Sequence, residues 1–339
     1  IRNEPYGEDH QDCRHPRRVT TMFSGCTFRL MFALLTGFCA GAVCGQQYPV
    51  KPVRIVTATA GSSADFGARL IAQGLAGAMG QQVIVDNRGG IIPGEVVAKA
   101  SPDGYTLLVA GTTIWIEPLL RGVAPYNMAS DFSPITLAMS APSILVVHPS
   151  LPVKSVQDLI ALAKSKPGEL NSSSGPAGGS PHLAAELFKA MAGVSFVHIP
   201  YRATALALTN LIGGEVQLSF PVAAAAMPHV KSGRLRALAV TSIAPSALLP
   251  GLPTVAATLP GYEAASINGL FAPVNTAASI VNRLHQETVR MLNQPDAKER
   301  IFNAGGEVVG SSPEQLITKV KSEIVRMGKV IKDAGIHVD

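Results

Sequence analysis

The chain has 339 residues, with 28 Lys and Arg against 23 Asp and Glu for a net charge of +5, 47% apolar residues and 5% aromatics. A mildly basic, aromatic-poor chain without a Lys/Arg stripe interleaved with Phe or Tyr excludes a nucleic-acid binding surface. All four cysteines (Cys13, Cys26, Cys39 and Cys44) lie in the first 45 residues, so the remainder holds no disulfide and no thiolate metal site.

Residues 1–21 are polar, with Met22 as a candidate start. The run RLMFALLTGFCAGAVCGQ from Arg29 to Gln46 has basic residues upstream and small residues at its end. Its apolar core of roughly 14 residues is short of the about 20 that span a bilayer, the layout of a secretory signal peptide with a cut near Cys44 or Gly45. Gly41, Ala42 and Val43 fit a lipoprotein cysteine at Cys44 poorly. Removing this leader takes out five basic and four acidic residues, leaving about 294 residues at +4, enough for two domains.

From Gln46 on, strand and helix patterns alternate. Short runs rich in Val, Ile and Leu predict strands at 53–58, 82–86, 105–111, 144–148, 195–199, 216–220 and 236–240, each of the kind buried in a parallel sheet. Helical periodicity predicts Phe66 to Met79, Val156 to Lys164, Leu183 to Met191, Ala205 to Ile212, Ile280 to Leu292 and Pro313 to Ile331. The last opens on Ser312 as N-cap, Pro313 at the first position and Gln315 three beyond the cap. Such alternation predicts open, doubly wound α/β sheets, here two. One crossing between them is expected at 144–155, where Pro149 and Pro152 break a strand before Ser155 caps a helix, and a return at 259–275.

Two runs stand out: IVTATAGSSADFGARLIAQGL from Ile55 and LNSSSGPAGGSPHLAAELF from Leu170. Each reads as a strand ending in a Gly/Ser loop that opens a helix, and such a loop, with the helix's first N–H groups, makes a concavity suited to carboxylate or phosphate. Ligands of open α/β sheets bind beyond the carboxyl ends of the strands, which places both loops at one cleft. The candidate ligand residues are Gly61, Ser62, Ser63 and Asp65 in the first run, and Ser174, Gly178, Gly179 and Ser180 in the second. Thr112, Thr113, Tyr201 and Arg202 join them because they follow strand ends. Each has a plainer reading. Asp65 suits an N-cap, the glycines suit turns with positive φ, the threonines suit caps, and Arg202 suits a surface ion pair. Segments 114–119 and 264–271 are the expected far wall, with Trp115 equally suited to the core.

Other chemistry finds little support. His182 and Glu186 have metal-ligand spacing on one helix face but no further ligand cluster nearby in sequence, and Asn171-Ser172-Ser173 matches a glycosylation acceptor only by chance. The G-x-S-x-G, Walker, H-E-x-x-H and G-x-G-x-x-G patterns are absent. No catalytic residue, cofactor or metal is expected.

Several ordered segments carry a resemblance. They are YPVKPVRIV from Tyr48, the loop with Gly61, Asp65, Ala68 and Arg69, VDNRGG at 85–90, AKASPDGYTLLVAG at 98–111 and HLAAELFKAMAG at 182–193. VHIPYR at 197–202, MPHVKSGRLRALAVTS at 227–242 and LPTVAATLPGYEA at 252–264 complete the series. From Tyr48 to Gly335 the chain resembles the tripartite tricarboxylate transporter receptor family, the TctC-like or Bug-type periplasmic solute-binding proteins. The resemblance implies a type II periplasmic binding-protein fold, with lobe 1 at 46–148 plus 266–339 and lobe 2 at 149–265. It implies a periplasmic monomer that holds a small carboxylate through main-chain N–H and hydroxyl groups and delivers it to membrane components of the transporter, or alternatively to a sensor ectodomain. The sequence departs from the family pattern at a shortened loop after Arg88, at Gly179 in a hydroxyl position, at Ala203 and at Pro221, all in loops of the expected cleft.

Overall fold

The computed structural model of the protein describes residues 48–123, 125–175 and 178–336. The expected export signal, its cut and the four cysteines lie outside the described residues.

In chain order, β1 (Val53–Thr57), α1 (Ser63–Met79), β2 (Val83–Asn87), α2 (Ile92–Ala98), β3 (Thr106–Gly111), α3 (Thr112–Arg121) and β4 (Phe132–Pro142) come first. There follow β5 (Ile144–Val147), α4 (Val156–Ser165), β6 (Asn171–Ser174), α5 (Ser180–Ala192), β7 (Val197–Pro200), α6 (Thr204–Ile212), β8 (Leu218–Ser219), α7 (Ala223–Lys231) and β9 (Arg236–Val240). The chain ends with β10 (Ala265–Pro273), α8 (Ala278–Leu292), α9 (Pro295–Asn303), β11 (Glu307–Val308) and α10 (Pro313–Asp333).

The strands form two sheets, one in the order β11-β4-β10-β3-β1-β2 and one in the order β7-β6-β8-β5-β9. The α/β class and the two sheets agree with the sequence. The sheets are mixed, however, not purely parallel. β1 runs parallel to β2 and β3, and β6 parallel to β7 and β8, while β10 is antiparallel to β3 and β4, and β5 is antiparallel to β8 and β9. β5 and β10 are each entered by a change of sheet without the helical crossover that a parallel neighbour requires, and the short β11 is antiparallel to β4 as well.

The change of sheet comes earlier than expected. β4 pairs with β10 as far as Pro142, and Ile144 already pairs with Val240 of the second sheet, so the chain crosses at Ser143 and the strand expected before the crossing lies after it. Pro149 and Pro152 mark only the turn into α4. The return runs between β9 and β10. β4 was not foreseen because Pro134 and its serines mask its pattern; Pro134 pairs with Phe271 at a register shift, the irregular position at which a sheet tolerates proline. Helices α2, α3, α7 and α9 were likewise unforeseen, and α3 contains Pro118. Pro118 has no N–H for the carbonyl of Ile114, and Tyr126 donates its hydroxyl to that carbonyl instead, at 2.6 Å.

Apolar burial follows the pattern. On α1, Ala68, Ile71, Ala72, Leu75 and Met79 form one buried stripe at helical spacing, and fully burying a side chain such as Leu75 contributes about 2 kcal/mol. The helix packs on α8 so closely that a Cβ at Gly74 would lie 2.2 Å from Met291 Cγ, so only glycine fits there. On α10 the capping box of Ser312 and Gln315 forms as the sequence predicts. One apolar cluster runs through both sheets, joining Val56, Leu108 and Phe271 to Leu145, Phe188 and Leu218. Among the described residues no helix is long and apolar enough to cross a membrane.

Candidate functional site

The loop from β1 to α1 is held by its own side chains. Gly61 takes a positive φ of 81°, and its N–H donates to Asp65 Oδ2 at 2.9 Å. Asp65 Oδ1 accepts from Asn87 Nδ2 at 2.8 Å and from Arg69 Nε at 2.9 Å. Burial of Asp65 pushes its carboxyl up, but the bonds from Arg69, Gly61 and Asn87 outweigh it and hold the group below the usual carboxylate range. The N-cap is Ser62, not Asp65: Ser62 Oγ accepts the Asp65 N–H at 3.1 Å. Asp65 and the Gly61 N–H are thus bonded to each other, which leaves neither of these two groups open as the loop stands. What the loop offers a ligand is the N–H groups of Ser63 and Ala64, which find no acceptor among the described residues, with the hydroxyls of Ser62 and Ser63.

Gly61, Ser62 and Ser63 border a cavity of about 280 Å³, with Phe66 and Met139 as apolar walls and Asn268 from the centre of the first sheet. Asn268 is 2% exposed, and among the described residues its Oδ1 has no hydrogen-bond partner. A Cβ on Gly111 would lie 3.2 Å from that oxygen and 3.6 Å from Ala64 in the first turn of α1, so the Asn268 side chain lies toward the α1 N-terminus. A buried, unpaired amide oxygen at a pocket is the kind of group a ligand satisfies. Sequence reasoning included Asn268 only as part of an apolar wall; a polar residue inside that run was the signal for it.

The loop from β6 to α5 is anchored at both ends by a pair of histidines. Ser174 Oγ donates to Gly175 O at 2.8 Å, which leaves it to accept from His198 Nε2 at 2.7 Å. At the other end Gly178, with φ 77°, donates its N–H to His182 Nδ1 at 2.9 Å. The two imidazoles stack, their centroids 3.6 Å apart and their planes within 7°. His182 Nε2 faces Glu186 Oε1 at 3.6 Å, and Lys189 Nζ pairs with the same carboxylate at 2.9 Å. Burial raises the Glu186 carboxyl, but its bonds to His182 and Lys189 prevail and hold it below the usual range. The Ser174 hydroxyl and the Gly178 N–H are therefore occupied by these bonds. The N–H groups of Gly179, the N-cap of α5, and of Ser180 and His182 find no acceptor among the described residues. Among those residues no group of three His, Cys, Asp or Glu could hold a metal ion.

The remaining candidates divide. Thr112 Oγ1 accepts the Ile267 N–H at 3.2 Å and so ties α3 to β10; it is not a cap, since Gly111 is the N-cap of α3 and no side chain caps that helix. Thr113 is exposed in the first turn of α3. Tyr201 donates its N–H to Ser174 O at 3.0 Å and so adjoins the second loop. Arg202 is exposed and has no ion pair among the described residues. Trp115, only 2% exposed, belongs to the core and donates Nε1–H to Glu323 at 3.0 Å. A larger cavity of about 380 Å³ between α1 and α8, lined by Gln73, Gly74, Arg290 and Met291, contains none of the loop residues.

Residues 67–336 match the model of the tripartite tricarboxylate transporter family receptor. The chain is 36% identical over 300 residues to a protein encoded in the tcbD-tcbE intergenic region of a Pseudomonas species, covering 87% of this chain and 89% of that one. Among solved structures, an R. palustris protein with adipate is 37% identical, with a TM-score of 0.70 over 86% of this chain and 99% of the other. MatC from Rhodopseudomonas palustris with bound malate is 28% identical, with a TM-score of 0.66 over 84% of this chain and all of that one.

Proposed function

The chain belongs to the tripartite tricarboxylate transporter receptor family, a family of periplasmic solute-binding receptors and not of enzymes, and from that premise we propose that it captures a small carboxylate between two lobes and delivers it to the membrane components of such a transporter. The lobes are residues 48–142 with 265–336, and 144–264, each built on one sheet. The observation that carries this reading is the pair of Gly/Ser loops, each opening a long helix whose first N–H groups have no acceptor among the described residues, Ser63 and Ala64 on α1 and Ser180 and His182 on α5. Orphan N–H groups at a helix N-terminus favour an anion, and no arginine is needed in the cradle.

Adipate and malate, the ligands of the two solved relatives, set the first panel: dicarboxylates of four to six carbons, with citrate beside them. Closure of the lobes around the ligand supplies the form that the membrane partner recognises. The protein works as a monomer, exported with removal of the segment up to about Cys44 or Gly45, which N-terminal sequencing of the mature protein reads directly. Binding is tested by thermal unfolding and calorimetry of the chain from Gln46. A ligand at 100-fold its dissociation constant stabilises the native state by about 2.7 kcal/mol, so one or more acids should raise the melting temperature by several degrees. A flat response across the panel would overturn the proposal.

A further inference from the structure

The two loops are built on one device. In each, a glycine at positive φ is followed four residues later by a side chain, at the third position of the helix, that accepts the glycine N–H: Asp65 Oδ2 for Gly61 and His182 Nδ1 for Gly178, both at 2.9 Å. The bond turns the glycine N–H back into the protein and leaves the following N–H groups pointing outward from the helix start. The acceptors differ in charge. Asp65 is an anion, compensated by Arg69 and Asn87. His182 accepts at Nδ1, so that nitrogen carries no proton; the ring is neutral, with its hydrogen on Nε2 toward Glu186.

That difference matters at a helix N-terminus. A carboxylate in the first turn cancels part of the positive field that a ligand anion would feel, whereas a neutral acceptor leaves it whole. His182 is kept in place by three neighbours. His198 stacks on its face, Glu186 lies at Nε2, and Lys189 neutralises Glu186. His198 also bonds Ser174, so the stacked pair fixes both ends of the loop. Every charged group facing His182 is thus paired within the cluster.

We propose that His182 is the positioning residue of the second loop: a neutral acceptor that fixes Gly178 and aims the N–H groups of Gly179 and Ser180 at the ligand's carboxylate without placing negative charge beside it. The proposal rests on the reading of the α5 loop as half of the carboxylate cradle. It makes the α5 side the one that bears the ligand's charge, and the Asp65 side the more weakly attracting half.

Calorimetric titration of the mature protein with adipate and with malate, alongside melting temperatures, tests it through four variants. In His182→Asn the amide oxygen replaces Nδ1 as a neutral acceptor, and affinity should stay within about threefold of the parent, while His182→Ala, which leaves the Gly178 N–H unpaired, should weaken binding about tenfold or more. His182→Asp keeps an acceptor and adds a charge. Its affinity should fall at least as far as that of His182→Ala although its fold is held, and a purely structural role would not separate it from His182→Asn. Ser180→Pro removes one cradle N–H at a helix position that accepts proline and tests the site itself. If Ser180→Pro weakens binding while His182→Ala or His182→Asp binds as the parent does, the positioning role is overturned and the site stands. If Ser180→Pro binds as the parent does, or the parent binds neither acid, the reading of the loop falls and the proposal with it.

Discussion

His198 lies flat against His182, ring centroid to ring centroid 3.6 Å, and reaches Ser174 at 2.7 Å with its outer nitrogen. Burial, with the Lys189 charge adding to it, pushes its pKa down from the ordinary 6.5 to about 4. Between those values the unfolded chain binds a proton that the folded protein does not, so stability rises with pH across the window and is lost as pH falls toward about 4. His198→Gln keeps a nitrogen donor toward Ser174 and removes the titration. Urea unfolding from pH 4 to 7 should show a shallower rise in the variant than in the parent. Identical slopes would mean that the stacked pair does not resist protonation.

The first loop depends on Asp65 in the same manner as the second depends on His182. Asp65→Ala leaves the Gly61 N–H without its acceptor, takes one of two acceptors from the Asn87 amide and breaks the ion pair with Arg69, which keeps its bond to Asn87 Oδ1. Losing these bonds at a buried carboxylate should cost about 3 kcal/mol, and Asp65→Asn, which retains an oxygen acceptor, should cost roughly half of that. Because its folded pKa lies below the ordinary value, the carboxylate stabilises the protein above pH 3.8 and that stabilisation is lost as pH falls through the lowered value. Denaturant midpoints for the two variants at pH 7 check the order. Equal stability of parent and Asp65→Ala would show that the loop holds itself without the carboxylate.

What the sequence made legible follows from the range of the forces involved. The strand-loop-helix units around Gly61 and Gly178 are local, and their turn glycines, hydroxyls and apolar stripes stand in one short run, so both loops were found. The Ser312 and Gln315 capping box is local too. Long-range pairing was not legible. The placement of β5 in the second sheet depends on Val240 meeting Ile144, and β4 is a strand because β10 and β11 flank it, although Pro134 and its serines read as loop. At the two loops, residue type shows where such groups stand and not which of them are already bonded. A glycine N–H or a serine hydroxyl in a Gly/Ser loop reads as free in sequence, whereas Asp65, His182 and His198 occupy three of them. Asn268 stood in the expected wall only as one residue of an apolar run, because the fold alone brings the middle of β10 against the first turn of α1.

Trp115 donates its indole N–H to Glu323, a carboxyl buried in the apolar stripe of α10. Burial raises the Glu323 pKa to about 7, against the pull of the indole, Arg326 and Lys319. With a folded pKa above the unfolded one, the neutral acid is favoured in the native state, and the associated stability, present in full below pH 4.5, is lost as pH rises through about 7. Trp115 is the sole tryptophan in the chain, so its emission reports the titration without interference. Fluorescence should change with a midpoint near pH 7 in the parent and stay flat in Glu323→Gln, which also should gain stability over the parent at pH 8. A pH-independent emission in the parent would sink this reading.

Asn268 separates stability from function. Its Oδ1 is buried and has no partner among the described residues, so it carries a desolvation cost of about 1–3 kcal/mol that none of them offsets. A residue kept for packing alone would not be an amide at this position, between Gly111 and Met139 on neighbouring strands. Asn268→Ala returns that cost and gives up only a small side-chain volume, and the two effects oppose each other. Its unfolding free energy should therefore stay within about 1 kcal/mol of the parent. Its affinity for the carboxylate that the parent binds should nevertheless drop about tenfold, because the amide is the polar group that a ligand in the 280 Å³ cavity meets beside Ser62 and Ser63. Calorimetry and urea unfolding on the same preparation give both numbers. A variant destabilised by more than about 2 kcal/mol with unchanged affinity would make Asn268 a structural residue, and the ligand's polar contacts would then have to come from the two loops alone.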